Sequence, residues 1–589
     1  MGALGSLRLA RMDSLKRRLL ADETLLPDDR RWFYETTAKV PDTFRAAYLD
    51  SYQETTRTEG NRQANSNLLE TLEEATGYKI RIATSDEELR ANAKRRADAC
   101  GRIWATIGPQ ALPYLRRYYE AEGIKIPFPK GKLSAGGILE RLMCDLWWRK
   151  QLRRHTARRV ERLAILSGMV HSRAGMFCSN EALNRRREQL KRNAALLESL
   201  EATDQHGNVL TLEQIARHSI ANKAIRRAEI MTRLAGAERY AKKHDYIASF
   251  HTITCPSRFH ARHHKSGKAN NTFIKTTPSQ AQHYLVKLWS RARASLKYHG
   301  LPVFGIRVAE PHHDGTPHWH LLLWHRREHY QAIKQVLRTY SLADTPDEKG
   351  AKKRRYSAKL LTDPCGSAVA YVAKYIAKGL DGYRVQGFDE DKQERYTDSD
   401  SAERVDAWAS CWGIRQYQTV GMPPITQWRE LRRLTQEMCK SPLVDIASEA
   451  ANNAKFETYI EVQGLFSKPP DGWPVALHKE PVEGLTRYLE PRPDRITGLV
   501  DYYSITVSRP TRWKIGFSSR AAARPWTRFN NCRLSNLRAN FPGLDPPMRA
   551  DSRPGHSKKK FHITGPPGAK LLFPYFPQLY SVELRPLSR

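Results

Sequence analysis

Two histidines and a glutamate in the segment AEPHHDGTPHWHLLLW have the types and spacing of metal ligands. His318 and His320 are two residues apart in a predicted strand, so both imidazoles leave the same face of the sheet. Glu310 lies eight residues before His318, and the Asp-Gly pair between them is typical of a hairpin turn. If the flanking strands pair, a two-histidine, one-carboxylate set can hold a divalent ion and leave positions open for a substrate oxygen. The alternative is that both histidines are ordinary strand residues beside Trp319.

A second group of reactive side chains lies on the segment AVAYVAKYIAKG, which has the pattern of a helix. Tyr371 and Tyr375 are four residues apart and therefore share one helix face. Lys374 and Lys378 each follow a tyrosine by three residues, which places a cation within one turn of each phenol. A phenol with a pKa of about 10 is a poor nucleophile at neutral pH, and an ammonium or a metal-polarised phosphate would help it to attack. The alternative is an amphipathic core helix with half-buried tyrosines and solvated lysines.

The elements that would position these side chains alternate between strands and helices. YIASFHTITCPSRFH and the two runs around the Asp-Gly turn are rich in aromatic and β-branched residues and predict three strands, with a helix over SQAQHYLVKLWSRARASLKYHG. The tyrosine helix has Asp363 or Ser367 as its predicted N-cap and Gly379 as its predicted stop. The acidic run FDEDKQERYTDSDSAERVD then predicts an exposed insertion, WGIRQYQTVG a returning strand and ITQWRELRRLTQEM a helix. This order predicts an α+β fold.

The regions on either side differ from this central part. Residues 1 to about 235 predict a mostly helical region because few Gly or Pro interrupt long runs of Leu, Ala, Arg and Glu. In it, WWRKQLRRHTARRVERL alternates aromatic and basic residues, as a phosphate-binding helix face would, although a solvated face is the alternative. The candidate DNA-binding residues there are Arg149, Lys150, Arg153 and Arg154. From about residue 455 the chain is rich in Pro and Arg, and its elements are not predictable.

The composition indicates a large, folded and strongly basic protein. The 589 residues include 98 Lys and Arg against 62 Asp and Glu, which gives a formal net charge of +36. Such a charge favours a nucleic-acid partner, and a basic protein without one is the alternative. Eight scattered cysteines without a C-x-x-C pair argue against a zinc ribbon or a disulfide framework. A mean hydropathy of −0.64 and the lack of a long apolar run indicate a soluble, intracellular protein, and no P-loop is present.

The motifs, taken in order, resemble those of the HUH endonuclease superfamily: an aromatic-His-Thr-Ile-Thr strand, a His-x-His strand and a Tyr-x-x-Lys helix. The longer segments SFHTITCPSRFHA, RVAEPHHDGTPHWHLLLW, YVAKYIAKG and WGIRQYQ are similar to those of the replication gene A proteins (GPA) of tailed phages. WWRKQLRRHTARR and SIANKAIRRAEIMTRLAGAERYAK, nearer the N-terminus, resemble that family as well. The resemblance extends from about residue 80 to residue 435.

This resemblance implies a site-specific endonuclease that cuts single-stranded DNA at an origin and starts, and by strand joining ends, rolling-circle replication of phage DNA. His318 and His320 would match the two metal-binding histidines of the family, and Glu310 would be the third ligand of Mg²⁺ or Mn²⁺. Tyr371 and Tyr375 would match the paired nucleophiles, one of which forms a 5′-phosphotyrosyl link and frees a 3′-hydroxyl for a polymerase. The alternatives are a relaxase or transposase of the same superfamily, or a non-catalytic origin-binding protein.

The resemblance also implies an organisation and a set of partners. Lys374 and Lys378 would hold the phosphate or assist the leaving oxygen, with a solvated face as the alternative. An α+β HUH endonuclease domain with a five-stranded antiparallel sheet is expected over 236–440. The helical basic region 1–235 precedes it, and a region of uncertain role, 455–589, follows it. Because the chain has no P-loop, a host helicase would unwind the duplex for the host polymerase. The implied location is the cytoplasm of a bacterial host, with no membrane partner.

Overall fold

The computed structural model of the chain describes residues 14–22, 25–38, 40, 42–76, 86–131, 133–264, 266–361, 367–381, 388–389, 394–395, 398–466 and 472–518. The helices are α1 (Ser14–Ala21), α2 (Pro27–Thr37), α3 (Asp42–Glu59), α4 (Asn61–Thr76), α5 (Asp86–Ile107), α6 (Ala111–Ala121), α7 (Ala135–Leu142), α8 (Asp145–Leu166), α9 (Asn180–Glu198), α10 (Leu212–Arg217), α11 (Lys223–Lys243), α12 (Pro278–Tyr298), α13 (Tyr330–Leu342), α14 (Ala351–Arg354), α15 (Ala368–Leu380), α16 (Asp398–Trp412), α17 (Ile425–Leu431), α18 (Pro442–Asn452) and α19 (Phe456–Gln463). The strands are β1 (Leu200–Asp204), β2 (Val209–Thr211), β3 (Tyr246–Thr254), β4 (Phe304–Pro311), β5 (Pro317–Arg326), β6 (Tyr356–Leu361), β7 (Phe388–Asp389), β8 (Glu394–Arg395), β9 (Tyr417–Val420), β10 (Ala476–Glu480), β11 (Arg495–Val500), β12 (Ile505–Val507) and β13 (Trp513–Phe517). Helices and antiparallel sheets together confirm the α+β class.

The central sheet has five antiparallel strands in the order β6-β3-β5-β4-β9. Strands β3, β4 and β5 and helix α12 occupy the segments in which the sequence predicts them. Helix α12 begins with a capping box, in which Thr277 and Gln280 satisfy each other's backbone N–H groups. A sheet of this size offers two faces, and both faces of β4 and β5 are buried.

Different helices cover the two faces of the sheet. On one face, Trp319 and Leu321 of β5 belong to the same apolar core as Leu285 of α12. On the other face, Leu322 of β5 shares a core with Val372 of α15 and with residues of α11. Because side chains alternate along a strand, His318, His320 and Leu322 all point toward the face that α15 covers. The sheet therefore presents the candidate histidines to the candidate tyrosines.

A β-hairpin interrupts the N-terminal region, for which the composition predicts helices. Strands β1 and β2 pair with each other, and β13 adds to β1 from far along the chain. The turn between β1 and β2 depends on Asp204, whose carboxylate accepts the backbone N–H groups of His206 and Asn208, while Gly207 has a φ of +86°. Asp, Asn and Gly in this short stretch favour a turn, and this signal was missed because of the strongly helical composition around it.

Two further expectations about the chain after the tyrosine helix are wrong. The acidic run was expected to be an exposed insertion, but from residue 398 onward it forms α16. The side chains of Ala402, Val405 and Trp408 recur at helical spacing on this helix and are buried. Gly379 was expected to stop the tyrosine helix, but it lies inside α15, which ends at Leu380. Of the two N-cap candidates, Ser367 caps the helix and Asp363 lies outside the described residues.

Within the described ranges, none of the helices combines the length and the apolarity that a bilayer crossing requires.

Candidate active site

The pairing of β4 with β5 brings Glu310, His318 and His320 together, as the hairpin pattern predicts. Glu310 lies directly opposite His318 in the register. The Nε2 atoms of the two histidines are 3.0 Å apart. The Oε2 atom of Glu310 lies 4.0 Å from Nε2 of His318 and 3.7 Å from Nε2 of His320. All three side chains are buried, and in the part of the chain that the structure describes they form the one cluster with metal-ligand geometry.

The donor atoms of this cluster fit a divalent cation. Among the described residues, neither carboxylate oxygen of Glu310 accepts a hydrogen bond, although both are buried. A buried carboxylate without hydrogen bonds is costly unless a cation compensates it. The Nδ1 atom of His320 lies 3.1 Å from Oγ1 of Thr252, so its Nε2 atom is the one directed at Glu310. A hydrogen bond to one ring nitrogen is the usual way to orient the other toward a metal.

The turn before β5 is fixed by a buried carboxylate. Asp314 accepts the backbone N–H groups of Thr316, at 3.1 Å, and of Ala261, at 3.0 Å. Burial opposes ionisation of this carboxyl, but the nearby histidines, His260 above all, lower its pKa below its usual range. On the same turn, the ring of His312 stacks on that of His318 at 4.0 Å between centroids. The turn thus supports the face of the sheet that carries the candidate ligands.

Hydrogen bonds connect both ends of helix α15 to α11. At the N-terminal end, Glu238 accepts hydrogen bonds of 2.7 Å from the Ser367 hydroxyl and from the backbone N–H of Ala368. At the C-terminal end, Asp381 accepts a 2.8 Å hydrogen bond from Arg227. A carboxylate at a helix N-terminus also interacts favourably with the helix dipole. These two anchors fix the rotation and the height of the tyrosine helix above the sheet.

Both candidate tyrosines face the histidine-bearing side of the sheet. Tyr375 is 3% exposed, and its ring centroid lies 4.2 Å from that of His320. Tyr371 is half-buried, and the two phenol rings are 6.4 Å apart. Phe250 of β3 lies between them, edge-on to Tyr371 at 4.7 Å and stacked on Tyr375 at 5.4 Å. Phe250 belongs to the strand motif of the sequence, but no pattern in the sequence indicates its contacts with the tyrosines.

The two lysines of α15 have different surroundings. Lys374 is exposed, and its Nζ atom lies 5.1 Å from the centroid of the Tyr371 ring and 5.0 Å from that of the Tyr375 ring. Lys378 is buried, and its Nζ atom lies 3.9 Å from Oε2 of Glu310. The solvated-face alternative is therefore wrong for Lys378, which lies beside the carboxylate of the candidate metal cluster.

The four candidate DNA-binding residues lie on α8: Arg149, Lys150, Arg153 and Arg154. Lys150 and Arg154 are exposed, whereas Arg153 forms an ion pair with Asp86. Arg90 pairs with the same carboxylate at 2.8 Å. Burial lowers the pKa of the Arg149 guanidinium, and the charges of Arg90 and Arg153 lower it further. Positive charge is therefore concentrated around the carboxylate of Asp86, the first residue of α5.

Comparison with known proteins connects this architecture with phage replication. The family described as bacteriophage replication gene A protein (GPA) matches residues 93–383. A probable replication protein P12 of Pseudoalteromonas phage PM2 is 36% identical over 401 residues, which are 67% of this chain and 61% of that protein. The replication gene A protein of Escherichia phage 186 is 34% identical over 443 residues, 72% of this chain and 62% of that protein. A probable replication endonuclease from a prophage-like region of Salmonella typhi is 31% identical over 481 residues, 77% of this chain and 59% of that protein.

The chain thus spans about three-fifths of the length of these curated relatives. No solved structure matches it.

Proposed function

Since this chain belongs to the family of bacteriophage replication gene A proteins, we propose that it is an HUH-type endonuclease that nicks single-stranded DNA at a replication origin and starts rolling-circle replication. The names of its relatives, a probable replication protein and a probable replication endonuclease, support this proposal. They favour replication over transfer or transposition, the alternatives that share the same chemistry. We place the chemistry in residues 236–440 and a DNA-binding role in the basic region 1–235.

The observation that carries the proposal is the contact between two sets of residues from different elements. The buried cluster of Glu310, His318 and His320 comes from a hairpin, and the tyrosines come from a helix that begins 42 residues after the hairpin ends. The fold nevertheless puts the rings of Tyr375 and His320 in direct contact. Nucleophiles adjacent to a site for a divalent cation are what phosphoryl transfer from DNA requires.

In the proposed reaction, a tyrosine is the nucleophile and the cluster of Glu310, His318 and His320 is the metal site. A phenol of Tyr371 or Tyr375 gives up its proton, and its oxygen attacks the scissile phosphorus. The bond from phosphorus to the 3′-oxygen breaks, that oxygen takes a proton, and the 5′-phosphate stays esterified to the tyrosine. Glu310, His318 and His320 would hold Mg²⁺ or Mn²⁺, which would supply positive charge to the phosphate oxygens.

The lysines and the second tyrosine complete the scheme. The ammonium of Lys374, equidistant from both phenols, favours their deprotonated forms and attracts the phosphate. Lys378 holds the Glu310 carboxylate in place from the helix side. With one phenol esterified, the other remains able to cut a regenerated origin, and reversal of the ester transfer joins the strand ends without ATP.

The proposal includes partners and a place of action. The freed 3′-hydroxyl is a primer for the polymerase of a bacterial host, and a host helicase separates the strands. Both partners and the origin DNA would be met in the host cytoplasm.

A covalent-adduct assay tests the proposal. The full chain is incubated with Mn²⁺ or Mg²⁺ and single-stranded DNA from the origin region, or from tiled genome fragments, and is then separated on a denaturing gel. Wild type is compared with Tyr371→Phe, Tyr375→Phe, the double variant and His318→Ala/His320→Ala. Tyr298→Phe, which alters an exposed tyrosine on α12, is the matched control.

We expect a metal-dependent adduct on the 5′ side of the nick with wild type and with the control. The double Phe variant and the double His variant should form none. DNA binding by wild type without an adduct on any fragment would overturn the proposal in favour of a non-catalytic origin-binding protein.

A further inference from the structure

A lysine from a different part of the sheet stands beside the candidate tyrosines. Lys359 lies on β6, the outermost strand of the five-stranded sheet, and is directly opposite Phe250 in the register. Residues opposite each other project from the same face, so Lys359 shares the face of Phe250, which packs on Tyr371. The Nζ atom of Lys359 lies 5.2 Å from the centroid of the Tyr371 ring.

Two ammonium groups therefore approach one phenol from two elements. Lys359 comes from the sheet edge, and Lys374 comes from α15, at 5.2 and 5.1 Å from the Tyr371 ring. Both lysines are exposed. Neither forms an ion pair with a carboxylate anywhere in the described ranges, whereas Lys378 lies beside Glu310. Two cations without an ion-pair partner among the described residues, at a half-buried phenol, create a local site for an anion.

A row of polar side chains connects this sheet edge with the candidate metal cluster. Ser357 of β6 lies opposite Thr252 of β3, and Thr252 lies opposite His320 of β5. Ser357 is exposed, Thr252 is half-buried and His320 is buried, so the row leads from solvent to the cluster. The spacing between neighbouring strands is about 4.8 Å, so the row spans about 10 Å.

We propose that Lys359 binds a backbone phosphate of the single-stranded DNA next to the phosphate that is cut, and so guides the strand over the β6 edge to Tyr371. This inference rests on the proposed function and adds a DNA contact outside the metal cluster and the tyrosine helix. A lysine ammonium is a flexible point charge suited to phosphate oxygens. Because Lys359 is exposed on an edge strand of the sheet, it is accessible to single-stranded DNA. Its role is substrate positioning.

The experiment removes the proposed contact between Lys359 and a DNA phosphate, either by changing the DNA or by changing the protein. Oligonucleotides with the cut site receive one neutral methylphosphonate in place of a phosphate, at each position flanking the cut in turn. Their affinities are measured for wild type, Lys359→Ala, Lys359→Arg and Lys287→Ala. Lys287 is the matched control, since it is an exposed lysine on α12, which covers the opposite face of the sheet.

For wild type, one methylphosphonate position should weaken binding by about 10-fold, the usual effect of losing one charge-assisted contact. Lys359→Ala should bind natural DNA about 10-fold more weakly and show no further loss at that position. Its log–log salt dependence should be shallower by about 0.7, the value for one single-strand phosphate contact. Lys359→Arg should retain most of the affinity, and Lys287→Ala should match wild type.

If Lys359→Ala and Lys287→Ala behave alike while wild type still forms the covalent adduct, the inference is wrong and the proposed function stands. Equal sensitivity of Lys359→Ala and wild type to every methylphosphonate would also overturn the inference. Absence of an adduct with wild type on every fragment would overturn the proposed function itself, and the positioning role with it.

Discussion

The phenol ring of Tyr375 and the imidazole of His320 lie 4.2 Å apart between centroids, although one belongs to a helix and the other to the sheet beneath it. Phe250 stacks on both rings, at 5.4 Å from Tyr375 and 5.3 Å from His320. The candidate nucleophile and the candidate metal ligand are thus packed into one unit. A change in that packing should disturb their mutual position before it disturbs the fold.

Phe250→Leu tests this packing. Leucine is smaller than phenylalanine, so the substitution leaves a cavity beneath Tyr375, and we expect the free energy of unfolding to fall by about 1–3 kcal/mol. Adduct formation per folded molecule should fall by about 10- to 100-fold, because displacements of about 1 Å at reacting groups have effects of that size. Phe456→Leu is the control, since Phe456 is buried in the same core but packs on Trp428. An equal loss of adduct in both variants would contradict the positioning role.

The parts of the site that the sequence predicts share a local cause. The register of a hairpin follows from its turn, so an Asp-Gly pair between two strands is sufficient to bring Glu310 opposite His318. The spacing of Tyr371 and Tyr375 likewise fixes their common face once the segment is helical. These relationships lie within one element or one hairpin, and for that reason a single sequence contains them.

The contacts that the sequence does not predict are those between distant elements. Lys359 approaches Tyr371 because β6 pairs with β3, and these strands are separated by about 100 residues. No local pattern identifies β6, since only its end residues are buried. Gly379 is a second example. The reason for a glycine inside this helix is the close approach of Tyr417, which lies on β9, a distant part of the chain.

Gly379→Ala should disturb the tyrosine helix although alanine favours helices. A Cβ atom at this position would collide with Oη of Tyr417, which also donates a hydrogen bond to the carbonyl of Ile376. We expect a loss of about 1–3 kcal/mol in the free energy of unfolding and reduced adduct formation. Gly101→Ala on α5 is the control, because a Cβ atom added there would meet no neighbouring group within 4 Å. It should stabilise the protein by about 0.5–1 kcal/mol, and a stabilised Gly379→Ala would refute the close approach.

Glu238→Gln weakens the anchor at the start of the tyrosine helix. The amide oxygen can still accept one of the two hydrogen bonds from Ser367 and Ala368, but the negative charge at the helix N-terminus is lost. Charge-assisted hydrogen bonds contribute about 1.5–3 kcal/mol, so unfolding measurements should show a loss of about 1–2 kcal/mol. Glu457→Gln changes a carboxylate that pairs with the exposed Arg239 and should cost less than about 1 kcal/mol. An equal loss of unfolding free energy in the two variants would show that Glu238 stabilises the protein no more than an exposed ion pair does.

Glu310→Gln tests the carboxylate of the candidate metal cluster without changing its shape. In wild type, Mn²⁺ at about 100 times its dissociation constant should stabilise the protein by about 2.7 kcal/mol, measured as a rise in Tm. The variant loses the anionic donor, so we expect this rise to shrink strongly and the covalent adduct to disappear. In the absence of metal the variant should be less stable than wild type, because the buried ammonium of Lys378 loses its carboxylate partner. An unchanged response to Mn²⁺ would exclude Glu310 as a ligand.

The face of the sheet opposite the tyrosines contains a buried polar network that predicts a specific pH dependence. His251 lies 2.8 Å from Tyr356 Oη and 2.8 Å from Ser249 Oγ, and Ser249 lies 2.7 Å from Nε2 of His325. Burial lowers the pKa of His251 to about 3, and the nearby charge of His325 contributes to the shift. The imidazole of His251 is therefore neutral in the folded protein throughout the physiological range.

Between about pH 6.5 and about pH 3, His251 binds a proton in the unfolded chain but not in the folded chain. The stabilisation that comes from its lowered pKa is therefore complete above about pH 6.5 and is lost as the pH falls toward 3. From about pH 7.5 to about pH 5 the loss attributable to His251 should be about 2 kcal/mol. His251→Phe cannot titrate, and the cost of leaving Tyr356 without this partner is the same at both pH values. The difference in unfolding free energy between wild type and His251→Phe should therefore shrink by about 2 kcal/mol at the lower pH. A difference that is constant with pH would show that His251 is protonated in the folded state as readily as in the unfolded chain.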